Sequence, residues 1–172
     1  MKGIIVKAAE KLVISKFGID KWEEILDASG LDSDEFFMLR DDLDDSLVMT
    51  IISKIAEVLE LSLDEVLAAY AKYWIHEFLP EVYPQYQFSS AKEFINSIEE
   101  VIHSNVRASM PNAHPPLFEF DWINENELQL KYFSPRGLIK LARLMLIEIG
   151  NKYNTPIEIE VKDDTTLYLV WK

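Results

Sequence analysis

At residues 117–138, LFEFDWINENELQLKYFSPRGL, apolar residues stop recurring at helical spacing and begin to alternate with polar ones along the chain. Phe118, Phe120 and Trp122 alternate with polar or smaller positions, and NENE is a turn that leads into ELQLKYF. Strict alternation on either side of a polar turn predicts a β-hairpin. Two further alternating runs, IEIEV and LYLVW, flank residues 162–166 and predict a second hairpin.

Upstream of this stretch the spacing of apolar residues predicts helices. One helix runs from Ile4 to Phe17 and is closed by Gly18, and a second starts at Asp20 and ends by Gly30. Further helices are predicted over residues 47–60, from Leu63 to about Leu79 with a capping box of Ser62 and Glu65, and over residues 91–108. Between the second and third helices, residues 32–45 predict an acidic loop with Phe36 and Phe37 turned inward.

Prolines and one more helix complete the pattern. Pro80 and Pro84 are expected to end the helix before them, and the three prolines of MPNAHPP exclude regular structure there. Gly137 to Tyr153 is again amphipathic. The order predicts an α+β fold, in which an N-terminal helical subdomain precedes a small antiparallel sheet with helices. We expect residues 1–172 to form a single domain.

Composition narrows the classes of function. The chain has 17 Lys and Arg against 30 Asp and Glu, and its net charge of −13 argues against nucleic acid and anionic membrane surfaces as partners. The absence of cysteine excludes disulfides, iron–sulfur clusters and cysteine nucleophiles, which suits a reducing cytoplasm. The start, MKGIIVKAAEKLV, has too short an apolar run for an export signal, so we expect a cytoplasmic protein without membrane-spanning segments.

Three hydrogen-bond donors close the first predicted hairpin. If the second strand continued to residue 136, then Tyr132, Ser134 and Arg136 would lie on one face. Two hydroxyls and a guanidinium could together bind an anionic group spanning about 13 Å at the rise of a strand. The alternative is an edge strand that runs out into solvent with polar residues at its end.

The three histidines offer no motif of their own. His76, His103 and His114 lack the i, i+4 spacing of a zinc motif, and His103 lies beside the apolar stripe of its helix, towards Glu99. Pattern alone therefore favours a solvated histidine. With neither a Ser-His-Asp set nor a glycine-rich phosphate loop, the sequence predicts no enzyme.

Several of these features occur together in one family. The Tyr-x-Ser-x-Arg motif at 132–136, the histidine and prolines of IHSNVRASMPNAHPP (residues 102–116), the N-terminal MKGI and the spacing in FGIDKWEEIL combine in it. The chain resembles the haem nitric oxide/oxygen binding (H-NOX) domains, of the stand-alone bacterial type, along its whole length. It departs from the family at Met110, where an aromatic residue is usual, and in a shorter C-terminal hairpin.

The resemblance implies haem b (Fe protoporphyrin IX) between the two parts of the fold. His103 would be the metal ligand, Tyr132, Ser134 and Arg136 would hold the propionates, and Pro116 would press on the ring. A mostly apolar distal wall is implied for six residues: Ile5, Ala9, Trp74, Phe78, Leu141 and Met145.

The function implied is a haem-based gas sensor that binds nitric oxide and carbon monoxide at ferrous haem. In the family nitric oxide weakens the iron–histidine bond, and the resulting change of shape reaches a partner protein. For a stand-alone domain the partner implied is a histidine kinase or a cyclic-di-GMP enzyme. Two alternatives remain open, an oxygen-binding haem protein and a haem-free protein-interaction module.

Overall fold

The chain divides into two units, Met1–Tyr73 and Trp74–Lys172, in a computed structural model that describes residues 1–172. The first unit contains four helices: α1 (Ile4–Phe17), α2 (Ile19–Ala28), α3 (Asp45–Val58) and α4 (Leu63–Tyr73). All four helices predicted for this part of the chain are therefore present.

The predicted capping box opens α4. The Ser62 amide and hydroxyl both donate to Glu65 Oε2, at 2.8 and 2.7 Å, and the Glu65 amide donates back to Ser62 Oγ at 3.2 Å. These bonds satisfy amides that the first helical turn leaves without partners. Ser62 and Glu65 thereby fix where the helix begins.

The acidic loop before α3 differs from its prediction at one residue. Phe37 is buried, but the neighbouring Phe36 is 66% exposed and lies beneath the Lys7 ammonium, which is 4.2 Å from the ring centre. The two residues lie in a segment without regular secondary structure, and only the Phe37 ring faces the core. The prediction that both turn inward was wrong for Phe36.

The helices of the second unit include two π-helical segments. Trp74–Phe78 is π-helical and leads into α5 (Leu79–Val82). The next helix begins as α6 (Ala91–Ser97), passes through the π-helical segment Ile98–His103 and ends as α7 (Ser104–Ser109). The last helix, α8, spans Ile139–Lys152.

Pro80 does not end a helix as predicted. It lies inside α5, in the first turn after the π-helical segment Trp74–Phe78, and the helix continues to Val82. The fixed φ of proline is compatible with a helical turn, although proline brings no N–H to the helix. Ser90 caps α6, because its hydroxyl accepts from the Glu93 amide at 3.1 Å.

Both predicted hairpins form, and together they make one antiparallel sheet. The strands are β1 (Leu117–Asn124), β2 (Glu127–Phe133), β3 (Ile157–Val161) and β4 (Thr166–Trp171), in the order β1-β2-β4-β3. Pairing of β2 with β4 joins the two hairpins. Helices followed by a small antiparallel sheet with helices give the α+β fold expected from the sequence.

One face of the sheet is buried and packs with helices of its own unit. Leu128, Leu130, Leu167 and Leu169 have no exposed surface, and they share a core with Ile149 of α8. Alternate residues of an antiparallel sheet face opposite sides, so the same strands present polar residues outward.

The outer strand β3 is held against α8 by one arginine. Arg143 Nε donates to the carbonyl of Ile159 at 3.0 Å, while Glu158 and Glu160 on the same strand are exposed. The first and last strands of this sheet are thus not equivalent, because β3 has a helix side chain bound to its backbone.

None of the helices has both the length and the apolar character needed to cross a lipid bilayer.

Candidate functional site

His103 is the last residue of the π-helical segment Ile98–His103, and its side chain is mostly buried. The side chain is 15% exposed, and its Nδ1 lies 3.2 Å from Oε2 of Glu99. The ring also stacks on Phe118, with 5.5 Å between ring centres.

The π-helical geometry explains why His103 is less exposed than the residue pattern alone indicated. An α-helix repeats every 3.6 residues, whereas a π turn pairs residues five apart and so rotates the side chains that follow it. Counting at 3.6 from Phe94 and Ile95 puts His103 beside the apolar stripe, but the extra residue turns it towards Phe118. The expectation of a solvated histidine was wrong.

Burial sets the charge of the imidazole. It lowers the pKa of His103, and the neighbouring Glu99 carboxylate only partly opposes that effect. The neutral imidazole is the form in which histidine binds a metal. A carboxylate bound to the other ring nitrogen is the usual way in which a protein orients such a ligand.

Glu99 itself is fixed from three sides. Burial favours its protonated form, yet hydrogen bonds from the Phe118 amide at 3.1 Å, from Arg107 and from His103 hold its pKa below the usual range. The carboxylate is 13% exposed and remains ionised at neutral pH. Glu99 therefore presents a fixed negative charge to the imidazole.

Tyr132, Ser134 and Arg136 are near one another but do not share a strand face. Strand β2 ends at Phe133, and Ser134 to Arg136 form a turn. Pro135 has no N–H for a further ladder bond, which ends the strand. The condition under which the three side chains would share one strand face is therefore not met.

Both polar side chains of the turn make hydrogen bonds within the second unit. The Arg136 amide donates to Ser134 Oγ at 3.3 Å, so the hydroxyl acts as an acceptor and keeps its own hydrogen. Arg136 Nη1 donates to the carbonyl of His114 at 2.7 Å, which anchors the guanidinium on the proline-rich loop. Gly137 follows with a φ of 63°, a left-handed value that suits glycine.

Phe118 joins this turn to His103. Its ring centre is 5.5 Å from that of His103 and 5.7 Å from that of Tyr132, and the register of β1 and β2 places Phe118 directly opposite Tyr132. The structure thus brings His103 and Tyr132 around one aromatic ring, and the half-buried Pro116 lies two residues before Phe118 in the chain.

Sequence reasoning assigned no role to Phe118 or Glu99. The signals were present: Phe118 lies on the buried face of the hairpin, and Glu99 is four residues before His103. Neither signal distinguishes a site residue from ordinary core packing or an exposed helical pair.

The four other expected residues of the second unit lie on two elements. Trp74 and Phe78 are on the π-helical segment, with ring centres 5.2 Å apart, and Phe78 is fully buried. Leu141 and Met145 lie one turn apart on α8 and are half-buried. Of these four side chains, only that of Trp74 carries a hydrogen that can be donated in a hydrogen bond.

Ile5 and Ala9 lie one turn apart on α1, in the first unit. Ala9 is buried and Ile5 is half-buried, and the Ile5 carbonyl accepts a hydrogen bond from the Tyr70 hydroxyl at 3.1 Å. Burial raises the pKa of Tyr70, so the phenol stays protonated and able to donate.

Comparison with known families shows to which family the chain belongs. The model of the haem-NO-binding family (HNOB) matches residues 2–161 of its 172 residues. The chain belongs to the H-NOX (HNOB) family. Members of this family bind haem and act as haem-based gas sensors.

Solved H-NOX structures share the fold along the whole chain. The Fe(II) unliganded H-NOX protein from K. algicida is 24% identical, with a TM-score of 0.84, and the match covers 100% of this chain and 97% of that one. The H-NOX protein from S. oneidensis in the Fe(II)NO state is 21% identical, with a TM-score of 0.87 and coverage of 100% and 99%. An oxygen-binding H-NOX domain in its oxygen complex is also 21% identical, with a TM-score of 0.84 and coverage of 100% and 95%.

Proposed function

We propose that this chain binds haem b through His103 and senses nitric oxide, and also carbon monoxide, at the ferrous iron. The observation that carries the proposal is the setting of His103: a buried imidazole whose Nδ1 is held by the ionised Glu99. With Nδ1 so engaged, Nε2 is the nitrogen that would bind iron. Ferrous haem bound by one histidine supplies an open coordination position for a diatomic gas.

The donor set of the second unit fits haem. Haem carries two propionate carboxylates, and carboxylates are best bound by a guanidinium fork together with hydroxyl donors. Arg136, Ser134 and Tyr132 are three such donors within five residues of chain. The anchoring of Arg136 on the His114 carbonyl supports the proposal, because an arginine already oriented loses less freedom when it binds.

The residues assigned to the distal side favour nitric oxide and carbon monoxide over oxygen. Bound oxygen gains stability from a nearby hydrogen-bond donor, which the other two gases need far less. Phe78, Leu141 and Met145 offer no such donor, and Trp74 is the exception through its indole N–H. Ile5 and Ala9 are proposed as apolar members of the same environment.

We propose that residues 1–172 act as one sensor domain that passes its signal to a partner protein. A histidine kinase or a cyclic-di-GMP enzyme is the proposed partner, by analogy of fold. The family match, which runs without interruption from residue 2 to residue 161, supports the proposal of a single domain.

Replacement of the proposed ligand tests the assignment. We expect the purified protein to show a Soret band and ferrous adducts with nitric oxide and carbon monoxide. His103→Ala should lose stable haem or retain it only with added imidazole, whereas His114→Ala, at an exposed histidine of the same unit, should keep the parent spectrum. An unchanged ferrous spectrum for His103→Ala would remove this residue from the role.

A further inference from the structure

The π-helical segment Trp74–Phe78 has a backbone carbonyl that its own helix cannot satisfy. In π geometry each N–H pairs with the carbonyl five residues earlier, so the amide of Leu79 pairs with Trp74. The carbonyl of Ile75 would then take the N–H of residue 80. Residue 80 is proline, which has no N–H to give.

A lysine of another helix supplies the missing donor. Lys152 Nζ, at the end of α8, donates to the Ile75 carbonyl at 2.9 Å. Ile75 is 3% exposed, so water has little access to this part of the helix. A buried carbonyl without a partner costs free energy comparable to a lost hydrogen bond. The ammonium thus replaces a backbone donor that Pro80 has removed.

A second contact joins the same two elements in a different way. His76 Nε2 lies 2.9 Å from Glu148 Oε2, and Glu148 also accepts from Asn151 Nδ2 at 3.2 Å. This contact joins side chains only and repairs no backbone defect. It therefore provides a control for the Lys152 contact, because both connect α8 to the π-helical segment.

The position of the segment matters for the proposed gas site. Trp74 and Phe78 are its first and last residues, and their rings are 5.2 Å apart. If the Ile75 carbonyl lost its donor, the helix would shift towards a register that satisfies this carbonyl. A change of register would rotate the two rings, as the π turn before His103 rotates that side chain.

We propose that Lys152 is a positioning residue: by replacing the donor that Pro80 lacks, it holds the π-helical turn and so sets the orientation of Trp74 and Phe78 towards bound gas. The claim that Lys152 orients Trp74 and Phe78 towards bound gas rests on the proposed haem function. The claim that Lys152 replaces the donor that Pro80 lacks is independent of haem. Burial lowers the pKa of Lys152, but its hydrogen bond to the carbonyl favours the ammonium form.

A double-mutant cycle between residues 80 and 152 tests the proposal. Lys152→Met should lower the Tm of the protein by about 5 °C. In a Pro80→Ala background, residue 80 regains an N–H, and the same Lys152→Met change should lower the Tm by less than about 1 °C. Lys152→Arg keeps a charged donor and should stay near the parent.

The C–O stretching band of the carbon monoxide adduct provides a second measurement. A residue with a purely structural role would not change this band. In the parent background, with Pro80 present, Lys152→Met should shift or split the C–O stretching band of the ferrous carbonyl protein. The double variant Pro80→Ala, Lys152→Met should have its C–O band at the same frequency as Pro80→Ala alone. Lys16→Met, at an exposed lysine in the last turn of α1, controls for the loss of a helix-terminal charge and should alter neither the Tm nor the band.

The outcomes separate this inference from the proposed function. Equal effects of Lys152→Met in both backgrounds would overturn the inference, as would an unshifted carbonyl band in the parent background. Glu148→Gln should change the Tm by the same amount in the parent and in the Pro80→Ala background. If the effect of Glu148→Gln depended on residue 80, as that of Lys152→Met is expected to, the specific role of Lys152 would be refuted. Absence of a Soret band in the parent would overturn both the haem proposal and the gas-positioning role. The Tm cycle would still decide whether Lys152 replaces the Pro80 donor.

Discussion

Glu99→Ala should destabilise the protein by about 3 kcal/mol, because three groups bind this carboxylate. The Phe118 amide, at 3.1 Å, would be left without a partner in a residue that is 8% exposed, at a cost of about 1 to 3 kcal/mol. Loss of the His103 contact adds about 1 kcal/mol. The Arg107 pair adds little, since that side chain is 41% exposed.

Thermal unfolding of the haem-free protein measures this loss. For a chain of this size, 3 kcal/mol corresponds to a decrease in Tm of roughly 9 °C. Glu100→Ala is the matched control, because Glu100 is exposed and lies next to Glu99 on the same π-helical segment. If Glu99→Ala were no less stable than Glu100→Ala, the reasoning from its three contacts would be refuted.

The haem-loaded protein gives a second measurement on Glu99. Glu99→Gln keeps an oxygen for the Phe118 amide but removes the negative charge beside His103. A neutral partner makes the imidazole a weaker base, so the iron–histidine stretching frequency should fall in resonance Raman spectra. A frequency equal to that of the parent would mean that Glu99 does not tune the proposed ligand.

Further predictions concern the propionate donors, the distal side, a close backbone approach and pH. Arg136→Ala should speed haem transfer to an acceptor protein about tenfold or more, since a charge-assisted hydrogen bond contributes about 1.5 to 3 kcal/mol; transfer at the parent rate would contradict the propionate role. The ferrous parent should form no stable oxygen adduct in air, and Leu141→Tyr is the change expected to create one, as optical spectra would report. Gly3→Ala should lower the Tm, because an added Cβ would lie 2.0 Å from a backbone carbonyl oxygen; an unchanged Tm would contradict that contact. Hydrogen bonds from Ser62 lower the pKa of Glu65, so its capping bond stabilises the fold above the ordinary carboxyl pKa of 4.5 and is lost as pH falls below it. The Tm deficit of Glu65→Ala should therefore be larger at pH 7 than near pH 3, and an equal deficit at both would argue against the charged cap.

Local rules predicted most of the fold. Apolar and polar residues alternate on either side of NENE and of residues 162–166, because each strand has one buried and one exposed face. Both hairpins could therefore be predicted from the sequence. The capping pair of Ser62 and Glu65 is likewise a contact between residues three apart. The end of β2 at Phe133 was not predicted, although Pro135 lacks the N–H of a ladder bond.

Contacts between distant residues account for what the sequence did not reveal. Pro80 lies within a helix in which Lys152 donates to the carbonyl of Ile75, a contact between residues 77 positions apart that no local pattern reveals. His103 faces Phe118 because of a π turn, which no rule of residue spacing predicts. Its assignment as a candidate ligand came from the family resemblance, whereas helical spacing already placed it towards Glu99, which it contacts at 3.2 Å.

The arginine bound to the outer strand bears on how this protein avoids assembling with itself. An uncovered strand edge offers unpaired amides and carbonyls to which another chain can add a further strand. Arg143 occupies one of these carbonyls, that of Ile159. Growth of the sheet from this side into a fibril would therefore have to displace a guanidinium, which disfavours polymerisation without any change to the core.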